Sequence, residues 1–87
     1  MFSQKVSLVN PQGFHMRPAS LIVAEANKFQ STITLVFNGN AIPCNSLMAI
    51  MAAGIKCGDE LEVQAEGADE DTAGQAIVDF IASGMGD

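Results

Sequence analysis

The stretch TITLVFNGNAIP, residues 32–43, decides the fold. Its first half, Thr32 to Phe37, is rich in β-branched and aromatic side chains, which suit a pleated, half-buried surface. Asn38-Gly39 follows, two residues that tolerate positive φ and so favour a two-residue hairpin turn. The return strand is short, about Asn40 to Pro43, because a proline cannot donate to a ladder. Residues 60–66 alternate in the same sense, with Leu61, Val63 and Ala65 inward and Glu60, Glu62, Gln64 and Glu66 outward. Sheet, not bundle, is the frame.

Working outward, residues 2–9 read as a half-buried strand with Phe2, Val6 and Leu8 at even positions and Gln4 breaking the alternation. Asn10-Pro11-Gln12-Gly13 stops it, each residue a turn former. From Pro18 to Phe29 the apolar residues Ala19, Ile22, Val23, Ala26 and Phe29 follow helical spacing, with Lys28 in the last turn. Pro18 suits a first helical turn, where its missing N–H is not needed. Ser46 opens a short helix through Ala53, and Gly54 closes it. Asp69 is expected to cap a final helix with Glu70 and Asp71 in its first turn. Ala73, Ala76, Ile77, Phe80 and Ile81 form its stripe and Gly84 its end. The order β-α-β-β-α-β-α predicts an α+β, two-layer open-faced sandwich, with helices on one side of a mostly antiparallel sheet.

With 87 residues and no linker or repeat, residues 1–87 are expected to form a single domain. A domain of this size buries only about 60% of the surface its unfolded chain exposes, so a shallow surface site fits better than a deep pocket. Four Lys and Arg face ten Asp and Glu, a net charge of −6. That balance argues against nucleic acid, whose affinity comes largely from cations on phosphates. Carboxylates gather at 59–71, leaving the surroundings of Arg17 open to one anion. Cys44 and Cys57 are too few and too far apart for a zinc or redox motif, and no metal or other cofactor is expected. No apolar run is long enough for membrane insertion or a signal peptide, so a cytoplasmic setting with reduced thiols is expected.

The only histidine lies in Gly13-Phe14-His15-Met16-Arg17-Pro18-Ala19, between a turn and a helix start. His15 falls about at the N-cap, where the backbone N–H groups of Met16 and Arg17 lack intrahelical acceptors. A helix's positive end favours the neutral, nucleophilic form of an imidazole placed there. The same N–H groups suit a phosphoryl dianion, and Arg17 can add a charge-assisted hydrogen bond. A helix terminus contributes about 0.3–1 kcal/mol when exposed and up to about 2 when partly buried, enough to tune a transferable phosphate without trapping it. The bland alternative is a surface histidine that merely caps its helix. Gly13, Arg17 and Pro18 converging on one anion-binding geometry favour chemistry.

This segment resembles the G-[LM]-H-A-R-P-A active-site motif of the HPr family, the histidine-containing phosphocarriers of the sugar phosphotransferase system. The similarity extends over essentially the whole chain, including the Asn-Ser-Leu-Met helix start, Gly54 and the final helix. Phe14 stands where Leu or Met is usual, and Met16 where Ala is usual. The resemblance implies a four-stranded antiparallel sheet with three helices on one face. It implies phosphorylation of His15 at Nδ1, with Arg17 stabilising the phosphate. It makes enzyme I the donor and sugar-specific IIA domains the acceptors, with phosphoenolpyruvate the ultimate source. The protein would act as a monomeric phosphorylated intermediate more than as a self-contained enzyme.

Ser46 has an N-cap role by itself. Its position also matches the serine phosphorylated by HPr kinase/phosphorylase in HPr proteins of low-GC Gram-positive type, which implies a catabolite-control repressor as a further partner. Both roles stay open, because a phosphate at a helix N-terminus need not disturb the fold. The resemblance further makes Leu47, Met48 and Met51 partner contacts, bordered by Met16 and Ser20. An HPr paralogue devoted to regulation would share the His15 chemistry. Two other classes compete. An acyl carrier would use Asn45-Ser46-Leu47 but needs a helical bundle; a soft-metal module would use His15, Cys44, Cys57 and methionines.

Overall fold

The computed structural model describes residues 1–85. Its elements are β1 (Phe2–Ser7), α1 (Met16–Ala26), β2 (Thr32–Phe37), β3 (Asn40–Pro43), α2 (Leu47–Ala53), β4 (Glu60–Glu66) and α3 (Glu70–Ala82). The strands form one antiparallel sheet in the order β1-β4-β2-β3. The sheet excludes the helical bundle of an acyl carrier. No helix among the described residues is long and apolar enough to cross a membrane.

The hairpin forms as its residues dictate. Asn38 and Gly39 both have positive φ, 52° and 78°, and Phe37 pairs with Asn40 across the turn. Register then carries the alternation into the core. Ile33 lies opposite Ala65 and Leu35 opposite Val63, while Leu35 also pairs with Ile42. All are buried on the inner face, where Ile22 of α1, Ile50 of α2 and Ile77 and Ile81 of α3 cover them. Burying one such side chain stabilises the fold by about 1.5–3 kcal/mol relative to leaving it exposed. The outer face is left to Lys5, Glu62, Gln64 and Thr34, and Glu62 accepts from Ser3 and Gln64 there.

Three local expectations are corrected. The first strand ends at Ser7 rather than residue 9, although Leu8 still enters the core. Helix α1 starts at Met16 and stops at Ala26, three residues short of Phe29. Lys28 therefore lies beyond its last turn and pairs with Glu25 at 3.0 Å. The cause sits across the molecule. The Asp69 carboxylate accepts the backbone N–H groups of Gln30 and Ser31, at 3.0 and 2.9 Å, and the Ser31 hydroxyl. That anchor draws the chain out of the helical path, and Lys28 and Phe29 donate backward in tight turns to Glu25 and Ala26. Being so engaged, Asp69 holds the N-cap position of α3 without making a side-chain cap.

Candidate functional site

The site begins with a turn. The Gly13 N–H donates to the Asn10 carbonyl at 2.9 Å, closing the turn read from Asn10-Pro11-Gln12-Gly13. Gly13 has φ of 72°, and a Cβ on it would stand 2.6 Å from the Ile55 carbonyl oxygen and 3.2 Å from the Lys56 Cα. Only glycine lets the two segments approach so closely. The next residue secures the contact: the Phe14 N–H donates to the same Ile55 carbonyl at 3.1 Å, and the Phe14 ring is buried. Phe14 and Ile55 thus brace the loop from below. Asn10, itself buried, ties the turn to the end of α3 by donating to the Gly84 carbonyl at 2.9 Å.

His15 then occupies the N-cap of α1 in extended backbone conformation, and its carbonyl accepts the Ala19 N–H at 3.1 Å. Its ring makes no cap hydrogen bond to the helix. The Met16 and Arg17 N–H groups belong to the first turn, which has no intrahelical acceptors for them. Pro18, at the third helical position, withdraws a further donor from that turn and is buried. Arg17 is exposed, and its guanidinium makes no hydrogen bond or ion pair among the described residues. A half-buried imidazole, open amides and an uncommitted guanidinium are the parts a surface site needs to hold a phosphoryl group.

Exposed apolar side chains lie on the two neighbouring helices. Met16 is 58% exposed, Met48 84% and Met51 38%, on α1 and α2, which pack against each other. Ser20 is exposed as well, whereas Leu47 is half-buried against the core. Leu21, 37% exposed on α1, joins the apolar set and was not read from the sequence. It stands off the stripe of Ala19, Ile22, Val23 and Ala26, and that was the available sign that it faces outward.

Ser46 is the N-cap of α2 and accepts the Ala49 N–H at 3.2 Å, and Gly54 ends that helix in the left-handed region with φ of 68°. Sequence reasoning missed Asn10, Ile55 and Lys56 as supports of the histidine loop. The available signal was Ile55 itself, an apolar residue in the polar stretch between Gly54 and Gly58.

The cysteines separate by environment. Cys44 is buried, which pushes its thiol up to about 12, and Cys57 is exposed beside the Val9 carbonyl. Among the described residues no group of three or more His, Cys, Asp or Glu side chains could hold a metal ion. A groove of about 460 Å³ lies at the far end of α1, lined by Asn27, Gln30, Ser31, Thr34 and Asn45 among others, and His15 is not part of it.

Comparison with known proteins agrees with this geometry. A family model described as the PTS HPr component phosphorylation site matches residues 2–83. HPr-C-His from Thermoanaerobacter tengcongensis is 37% identical with a TM-score of 0.94, covering 100% of this chain and 98% of that one. The histidine-containing phosphocarrier protein of Mycoplasma is 38% identical with a TM-score of 0.87, covering 95% and 96%. Crh, the catabolite repression protein of Bacillus subtilis, is 32% identical with a TM-score of 0.78, covers 97% of each chain, and forms a domain-swapped dimer. The sheet order, the placement of the sole histidine and the match over nearly the whole chain leave one family: this chain belongs to the HPr phosphocarriers of the phosphotransferase system.

Proposed function

We propose that His15 accepts a phosphoryl group from phosphorylated enzyme I and passes it to sugar-specific IIA domains. The observation that carries this reading is the His15 ring at the N-cap of α1, not spent on capping, beside open amides and the uncommitted Arg17. In the forward step the neutral Nδ1 of His15 attacks phosphorus on the donor's phosphohistidine. A new N–P bond forms as the donor's N–P bond breaks, and the electron pair returns to the donor ring. The second transfer repeats this with His15 as leaving group. The Met16 and Arg17 amides and the Arg17 guanidinium offset the dianion between the two steps. Phosphoenolpyruvate is the ultimate source and does not bind here.

Met16, Ser20, Leu47, Met48 and Met51 form the docking surface in this reading. Methionine suits that task, since its flexible, polarizable side chain adapts to more than one partner. A phosphate on Ser46 would add up to about two negative charges at the start of α2, next to this surface, and repel acidic partners. The protein would work as a cytoplasmic monomer. The similarity to Crh supports a second reading, a regulatory homologue answering to HPr kinase/phosphorylase and a catabolite-control repressor.

The test is incubation with phosphoenolpyruvate and the cognate enzyme I, followed by intact mass and acid treatment. One acid-labile phosphate, absent in His15→Ala, is the expected result. A His15→Ala protein that is still labelled, or a parent that is not, would overturn the assignment.

A further inference from the structure

We infer that Lys56 is a second cation for the anion that His15 carries, presented from the loop before β4; the inference rests on the phosphocarrier reading. The chain has only four Lys and Arg side chains against ten carboxylates, so where each one sits is informative. Lys28 is held by Glu25 at 3.0 Å. Lys5 lies on the outer face of the sheet, opposite Glu62. The other two, Arg17 and Lys56, are both exposed, and neither side chain makes a hydrogen bond or ion pair among the described residues. Both flank the histidine loop.

The position of Lys56 is fixed by backbone contacts. A Cβ on Gly13 would meet its Cα at 3.2 Å, and the preceding carbonyl holds the Phe14 N–H at 3.1 Å. The loop itself is pinned. The Lys56 N–H donates to the Asp59 carboxylate at 2.9 Å, the Asp59 N–H returns to the Lys56 carbonyl at 3.0 Å, and the Gly58 N–H reaches the Leu8 carbonyl at 2.8 Å. His15 is two residues from Gly13, at most about 7 Å of chain, and a lysine stem spans about 6 Å from its Cα. The ammonium can therefore swing to a phosphoryl group on His15 from the β4 side, while Arg17 approaches from α1.

An ammonium about 6 Å away favours the dianion over the monoanion by about half a pH unit, even in a water-like dielectric. The experiment needs no partner protein: phosphoramidate phosphorylates the single histidine directly, releasing ammonia. The second ionisation of that phosphoryl group is then followed by phosphorus NMR in the parent, Lys56→Gln, Lys56→Arg and Lys5→Gln. The expected result is a rise of about 0.3–0.5 pH units in Lys56→Gln, with Lys56→Arg and Lys5→Gln close to the parent. Lys5→Gln controls for net charge, so a shift in Lys56→Gln no larger than in Lys5→Gln would overturn the inference. Failure of enzyme I to label the parent would instead strike the carrier reading and leave the NMR result intact.

Discussion

At the scale of the residue, Gly13 and Arg17 separate holding the site from using it. Gly13 combines a φ of 72° with a virtual Cβ 2.6 Å from a backbone oxygen, so alanine there meets both strain and a clash. Gly13→Ala is expected to lower stability by about 1–3 kcal/mol in urea unfolding, and to slow transfer because the histidine loop must move. A variant as stable as the parent would show that the approach of the two segments is dispensable. Arg17 is the opposite case, exposed and tied to no described residue. Arg17→Ala should leave stability within about 0.5 kcal/mol while slowing transfer about tenfold or more, the scale of a lost hydrogen bond to a charged group. Equal single-turnover rates for parent and variant would remove its role. The residues of the proposed site were legible because Gly13, His15, Arg17 and Pro18 lie close together in sequence. Ile55 and Lys56 were not, because they reach the site through space, about forty positions further along.

At the scale of the element, what was legible is what local rules control. The Asn38-Gly39 hairpin, the Ser46 N-cap, the Gly54 stop and the 60–66 alternation all stand as read, since each depends on φ preference, one side-chain bond or a period of two. The end of α1 was not legible, because a carboxylate in a later segment decides it. Gly74 shows the same limit. It lies inside α3, where glycine costs about 1 kcal/mol relative to alanine, yet a Cβ there would overlap the Phe2 ring at 2.1 Å. The strand and the helix touch through the missing side chain. Gly74→Ala should therefore destabilise the parent by about 1–3 kcal/mol, overpacking outweighing the gain in helix propensity. In a Phe2→Ala background the same change should become stabilising. If Gly74→Ala raises stability in both backgrounds, the Phe2 contact is not what keeps glycine there.

At the scale of the whole molecule, the order β1-β4-β2-β3 places the last strand between the first two, a pairing no local signal encodes. The alternation at 60–66 called for a one-sided strand but left its neighbours undefined, and the answer lies in contacts spanning much of the chain. Asp69 is such a contact in polar form, since it joins the start of α3 to the segment between α1 and β2. The Ser31 hydroxyl, with the Gln30 and Ser31 N–H groups, favours its charged form and holds its carboxyl below the usual value. Glu62, through Ser3 and Gln64, and Glu70, through the terminal amine and the Gly67 N–H, are displaced in the same direction. A carboxyl whose value is depressed in the folded state adds stability above its unfolded value, and that stability is lost as pH falls through the folded one. The parent should thus hold its thermal midpoint from neutrality down to about pH 5 and lose it progressively below about pH 4. Asp69→Asn keeps the shape but cannot offer a charged acceptor to three donors. It is expected to melt lower than the parent at pH 7, and to lose less between pH 5 and pH 3, retaining only the slope due to Glu62 and Glu70. Melting curves by circular dichroism at those pH values decide the matter: parallel losses in parent and variant would mean that the clamp holding α3 to the α1–β2 segment does not depend on the charge of Asp69.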